Sequence, residues 1–190
     1  MKLSIFRGYG PDDALGAEIH RELLDFLGKR GWEADDMDLT RMKIAPCIGC
    51  FTCWLKTPGI CCQKDEGRET AKSRASADAL IVLSRVTFGG YSSRVKAAMD
   101  RNVPNVLPFF IKHQGEMHHP QRYERQGFLS LGWQDRYEEE SAGIFTRLAE
   151  RNARNMQATA QGSVVVHGGQ SAEERREAVE TLLKDLEARP

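Results

Sequence analysis

Ala79-Leu80-Ile81-Val82-Leu83 runs without a polar interruption. Such a run reads as a strand buried on both faces, and that in turn demands helices above and below a parallel sheet. The rest of the chain supplies them. Met1 to Phe6 is strand-like and breaks at Arg7-Gly8-Tyr9-Gly10-Pro11; Leu15, Ile19, Leu23, Phe26 and Leu27 then recur at helical spacing until Gly31. Trp32 to Leu39 reads as a second strand from its place in the alternation, although Asp35, Asp36 and Asp38 are poor strand formers. Glu66 to Ser76 is polar and weakly helical. Beyond Leu83 the chain breaks over Arg85 to Tyr91, and Ser92 is placed to cap a helix carrying Val95, Ala98 and Met99. Phe128 to Leu131, then Gly132-Trp133, leads to a helix through Ile144, Leu148 and Met156. Val164 to Val166 leads to a last helix that opens on the capping box Ser171 to Glu174 and carries Val179, Leu182, Leu183 and Leu186.

This alternation predicts one α/β domain over residues 1–190, a doubly wound five-stranded parallel sheet with helices on both faces. Ligands of such sheets bind outside the carboxyl ends of the strands, so the loops that follow strands are the places to look. Asn102 to Gln126 shows little periodicity and reads as a lid or an interface segment.

Charge narrows the function. The 27 basic residues are balanced by 27 acidic ones, which removes the electrostatic footprint of a nucleic-acid or anionic-membrane binder and favours a small-molecule partner. The apolar run Leu3 to Phe6 is too short for a signal-peptide core or a bilayer span, and the expectation is a cytoplasmic protein.

All five cysteines fall between Cys47 and Cys62, unlike the spread bridges of a secreted disulfide framework. Cys47, Cys50 and Cys53 follow one another at two-residue gaps, and Cys61 comes after seven more residues and a Pro58-Gly59 turn. One compact loop can therefore bring several thiolates together, which suits a [4Fe-4S] cluster on Cys47, Cys50, Cys53 and Cys61. Uncoordinated or reversibly oxidised thiols are the alternative, and zinc the third reading. His113, His118, His119 and Glu116 offer metal-type donors, but adjacent histidines in an extended segment point opposite ways, so a polar lid or subunit contact is the better reading.

The segment Thr87-Phe88-Gly89-Gly90-Tyr91-Ser92, continuing to Lys96 and Asp100-Arg101, places glycines where a backbone can approach a flat ring, with hydroxyls to meet its polar edge. It resembles the flavin-ring loop of the NAD(P)H-dependent FMN reductase and iron-sulfur flavoprotein families. The cysteine segment with Trp54, Lys56 and Pro58-Gly59, and the stretch Gly115 to Tyr123, are similar to the same group. The resemblance implies a flavodoxin-like sheet of order 2-1-3-4-5, FMN at the ends of the first, third and fourth strands, NAD(P)H as electron donor, and a homodimer or homotetramer. It puts Thr87, Phe88, Gly89, Gly90 and Tyr91 at the ring, and the ends of the first and fourth strands add Arg7, Gly8, Tyr9, Gly132 and Trp133 as candidate cofactor contacts; Trp133, like Tyr123 and Tyr137, has two readings, a flank to the ring or simple packing at a strand end. It nominates no protein acid or base.

Two positions depart from the family pattern. Arg85 stands where proline is usual. In the first loop, Asp12 and Asp13 stand at a helix start that in the family holds the FMN phosphate; carboxylates there suit the helix dipole but repel a phosphate. Either Arg7 and the backbone amides offset them, or FMN is bound poorly or differently. The activity expected is that of an FMN-dependent oxidoreductase, the alternative a non-enzymatic electron carrier or thiol redox sensor on the same scaffold.

Overall fold

The computed structural model describes residues 1–187. The chain order is β1 (Lys2–Arg7), α1 (Ala14–Lys29), β2 (Glu33–Asp38), a single turn α2 (Thr52–Leu55), α3 (Gly67–Ala75), β3 (Ala79–Arg85) and α4 (Ser93–Asp100). There follow a 3-10 turn (Val103–Asn105), β4 (Ile111–His113), β5 (Glu116–His118), β6 (Gly127–Gln134), α5 (Glu139–Asn155), β7 (Gln161–His167) and α6 (Ala172–Glu187). Five strands pair in parallel in the order β2-β1-β3-β6-β7. This is the expected flavodoxin-like order, with β4 and β5 forming a separate antiparallel hairpin.

Alternation along the strands builds two cores. Leu3, Ile5, Ile81, Leu83, Leu129 and Leu131 face α1 and α6, while Phe6, Leu80, Val82 and Phe128 face α4 and α5. On that second face two serines replace apolar residues, and each is satisfied. Ser4 Oγ lies 2.8 Å from Ser73 Oγ on α3, and Ser130 Oγ lies 3.1 Å from the Tyr91 hydroxyl. The Ser171–Glu174 capping box closes reciprocally, Ser171 N–H donating to Glu174 Oε2 at 2.7 Å and Glu174 N–H to Ser171 Oγ at 3.2 Å.

Three expectations are corrected. The third strand–helix unit does not break at Gly132-Trp133: β6 runs on to Gln134, because Gly132 makes room for Phe145 and Val86, and a Cβ there would lie 2.9 Å from the Phe145 ring. The buried face of α5 is Phe145, Ala149 and Ala153, whereas Ile144 is half exposed over the Gly89 turn. Ser92 stands at the α4 N-cap but its hydroxyl makes no capping bond; it donates to the Gly8 carbonyl at 3.0 Å and so ties two loops together. The stretch 102–126, read as a lid or interface segment, carries the 3-10 turn and the β4–β5 hairpin. Its hairpin turns on Gln114-Gly115, both at positive φ, 49° and 84°, and is docked by Glu116 onto Arg151 and Arg154 of α5.

Among the described residues no helix is long and apolar enough to cross a membrane. Ile81, fully buried in the strand flanked on both sides by β1 and β6, reports on the core. Ile81→Ala is expected to lower the unfolding free energy by about 2–5 kcal/mol and Ile81→Val by about 0.5–1.5, read from urea unfolding.

Candidate functional site

The winding of the sheet reverses between β1 and β3, so the loops after these strands meet at one edge. After β3, Thr87 N–H donates to the Gly90 carbonyl at 2.9 Å and Gly90 N–H returns the bond to Thr87 at 2.8 Å. Between them Phe88 and Gly89 both have positive φ, 49° and 76°, which makes a two-residue type I′ turn. Gly89 needs this freedom. Phe88 has none, and a bulky residue held in the left-handed region with its ring 99% exposed is a strained tip turned to solvent. Behind the tip Tyr91 is buried, its hydroxyl shared with Ser130 at 3.1 Å and Asn152 at 3.2 Å; burial pushes the phenol pKa up, so it stays neutral.

The loop after β1 packs closely on its neighbours. Gly8 N–H donates to the Leu83 carbonyl at 3.0 Å, and a Cβ on Gly8 would lie 2.3 Å from Val95. Tyr9 meets the Trp133 ring edge-on at 5.7 Å, and its hydroxyl lies 2.9 Å from His20 Nδ1. Arg7 turns to the second strand, 3.3 Å from Asp36 and 3.2 Å from Asp38. Asp13 is the N-cap of α1 and accepts the Gly16 N–H at 2.9 Å. The same carboxylate accepts the Trp133 indole N–H at 3.0 Å and the Arg85 Nε–H at 3.0 Å, and Arg85 also forks onto Asp135 at 2.7 and 2.9 Å. Trp133 is therefore a buried donor to Asp13, and Gly132 lies on the opposite face of β6 beneath Phe145.

The cysteine segment is stapled across its base. Lys43 N–H donates to Glu66 Oε2 at 2.6 Å, and Ala45 N–H to Asp65 Oδ2 at 2.9 Å. Arg101, its side chain wholly buried, reaches the Ala45 carbonyl at 2.7 Å and clamps both Asp65 oxygens at 2.8 and 2.6 Å. That clamp holds the Asp65 carboxyl down at about 2. Trp54 anchors the far side, its indole N–H shared between the Val103 and Val106 carbonyls at 3.2 and 3.0 Å.

All five thiols are free and line one cavity of about 210 Å³ closed by Arg101, Val103 and Pro104. Cys50 and Cys62 bring their sulfurs to 3.5 Å. Hydrogen bonds from Thr52, then Cys62, draw the Cys50 thiol down to about 7, whereas burial pushes Cys53 up. Among the described residues no three His, Cys, Asp or Glu side chains gather closely enough to hold a single metal ion. A larger cleft of about 610 Å³ joins Cys47 and Gly49 to Gly90, Tyr91 and Met99, so the cysteine segment and the glycine turn share one opening.

His118 and His119 point apart, whereas the His113 ring lies 6.0 Å from that of His118 and Glu116 comes within 3.4 Å of His118 Nε2. His118 is buried with Nδ1 3.3 Å from Asn155 Oδ1, while His119 donates through Nδ1 to the Phe109 carbonyl at 2.8 Å. Glu116 is drawn down to about 2 by Arg151 and Arg154 and serves as an anchor. Sequence reasoning names Arg101 only as the end of the Lys96 to Arg101 segment and misses its clamp on Asp65, as it misses the Asp13–Arg85–Asp135 network. Asp13 and Arg85 had been noticed only as departures from a pattern.

Asp65→Asn should lower stability by about 3–5 kcal/mol, because it leaves a buried guanidinium unpaired. The Asp65 pKa is depressed in the folded chain, so its stabilisation is present above the ordinary carboxylate value near about 4 and is lost as pH falls toward about 2. Urea unfolding across that range checks this: the variant should lose the part of the acid dependence that Asp65 supplies.

Comparison with known proteins bears on the fold and the family. An iron-sulfur flavoprotein from Methanocaldococcus jannaschii is 35% identical over 94 residues, which cover 50% of this chain and 48% of that protein. The chain thus spans about half that relative's length, and less of the others it matches. An NAD(P)H:quinone oxidoreductase from Methanothermobacter marburgensis superposes with a TM-score of 0.74 at 15% identity, over 100% of this chain and 98% of that one. An FMN-dependent NADH-azoreductase from Bacillus anthracis, solved in complex with FMN, gives a TM-score of 0.61 at 12% identity over 95% and 98% of the two chains. With residues 1–119 matching the family model described as NADPH-dependent FMN reductase, the chain belongs to that family.

Proposed function

We propose that the chain is a flavin-dependent oxidoreductase that takes electrons from NAD(P)H and delivers them to a small-molecule acceptor such as a quinone. The observation that carries this reading is the strained Thr87–Gly90 turn. It lies at the carboxyl end of the central strand, beside the winding reversal, and opens on the cleft it shares with the cysteine segment. A bound flavin would supply hydride acceptance and electron release in ones or twos. The chain's own part is placement. The Gly89-Gly90 backbone admits close approach of a planar ring, Phe88 offers a face to it, and Tyr91, fixed by Ser130 and Asn152, supports the turn from behind. No side chain is assigned a proton-transfer role.

The same reading assigns Cys47, Cys50, Cys53 and Cys61 to an iron-sulfur cluster. Its support is the ring of thiols around one cavity, the buried Arg101 cation beside Cys61, and the names of the relatives. The second reading, a thiol redox sensor, has one specific observation behind it, the 3.5 Å approach of Cys50 and Cys62. A homodimer or homotetramer is part of the proposal, supported by exposed Leu55, Phe109 and Phe110, which a partner copy would cover.

Flavin-loaded protein should oxidise NAD(P)H with a quinone acceptor, and Gly89→Ala should weaken flavin binding about tenfold, since its Cβ would lie 2.6 Å from Ile144 at φ +76°. Absence of turnover in the loaded protein would favour the electron-carrier reading. Anoxically purified or reconstituted protein should contain iron and sulfide, and Cys53→Ser should lose most of both; absence of iron and sulfide after reconstitution would leave the redox-sensor reading.

A further inference from the structure

The first turn of α1 is where a flavin phosphate would be expected to sit, because unpaired N–H groups and the helix dipole converge there. In this chain that place is taken. The Asp13 carboxylate caps the helix through Gly16 N–H at 2.9 Å, accepts the buried Trp133 indole N–H at 3.0 Å and is held by Arg85 Nε at 3.0 Å. Its side chain is only 11% exposed. The arrangement leaves little slack: a Cβ on Gly16 would lie 2.6 Å from the Trp133 ring, so α1 is pressed against the indole that donates to Asp13.

The nearby cations are committed as well. Arg85, the residue standing in place of proline, closes a bidentate fork on Asp135, and Arg7 is engaged by Asp36 and Asp38. Asp13 and Asp135 thus set two carboxylates against the single guanidinium of Arg85. A phosphate dianion brought to this point would meet a net negative field and find the Gly16 N–H already used. The phosphate end of FMN therefore does not fit the α1 N-terminus as it stands.

We infer that Asp13 acts as a built-in substitute for the phosphate, so that the chain recognises its flavin by the ring at the Thr87–Tyr91 turn and takes riboflavin-level flavins as well as FMN. This rests on the reading that the chain binds a flavin at all. It also gives Arg85 a role: the guanidinium holds Asp13 over the helix end and ties the loops after β1, β3 and β6 together.

The test is titration of the full chain with FMN and with riboflavin at fixed ionic strength, alongside Asp13→Ser, which keeps an N-cap hydroxyl while removing the charge. In the native chain the two dissociation constants should agree within about threefold, whereas a phosphate gripped by charge-assisted hydrogen bonds would separate them by about a hundredfold. In Asp13→Ser, FMN should overtake riboflavin by about tenfold or more. A native preference for FMN of about thirtyfold or more would overturn the inference and leave the flavin reading intact.

A separate arm uses inorganic phosphate alone, followed by the amide resonances of Ala14 to Ala17. They should stay still in the native chain and move in Asp13→Ser; movement in the native chain overturns the closure of this helix end. If neither flavin binds while the phosphate arm behaves as expected, the flavin reading fails and Asp13 still stands as the closing group.

Discussion

A parallel sheet with apolar side chains on both sides has to be covered twice, and that requirement arranges everything else in this chain. Helices α1 and α6 take one face and α3, α4 and α5 the other, so loops are confined to the two ends of the strands. At the carboxyl end the loops after β1, β3 and β6 are drawn within hydrogen-bonding reach of one another. Ser92 bonds to Gly8 and Arg85 to both Asp13 and Asp135. The cysteine segment, which follows β2, is brought to the same opening because its return helix α3 and its clamp Arg101 lie on the α4 side. The site is thus a consequence of covering the sheet rather than a separate construction.

Charge inside this frame is handled pair by pair, as the chain's overall neutrality allows. Two of the three carboxylates that make β2 look unlike a strand are paired across the parallel register: Asp36 and Asp38 lie beside Ile5 and Arg7 of β1, and both meet the Arg7 guanidinium. Since β2 is an edge strand, its acidic, exposed surface also guards an open row of backbone groups against addition of a further strand. Glu18 with Arg175 and Glu116 with Arg151 repeat the device where helices and the small hairpin dock.

The apolar periodicity of β1, β3 and α1 and the capping box of α6 made the fold legible from the residues alone, because burial on both faces leaves so plain a pattern. The glycine turn was legible for a local reason, since Gly89-Gly90 after a buried strand has few other uses. What could not be read was long-range. Arg101 looks like an ordinary helix-end residue until Asp65, 36 positions earlier, is seen against it. Trp133 looks like a loop aromatic until β6 is followed to Gln134. The short strands β4 and β5, three residues each, are too brief for alternation to register.

The staple at the base of the cysteine segment separates two design problems. Lys43, Ala45, Asp65, Glu66 and Arg101 close the base of the loop before residue 46 and after residue 64, and Arg68 of α3 then grips its returning limb through the Cys61, Cys62 and Gln63 carbonyls. The entropy of closing such a loop grows only slowly with the number of residues in it. A change of length between the staple and the Trp54 and Arg68 anchors therefore costs little by itself, so one set of residues mounts the segment on β2 and α3 while another shapes what it carries.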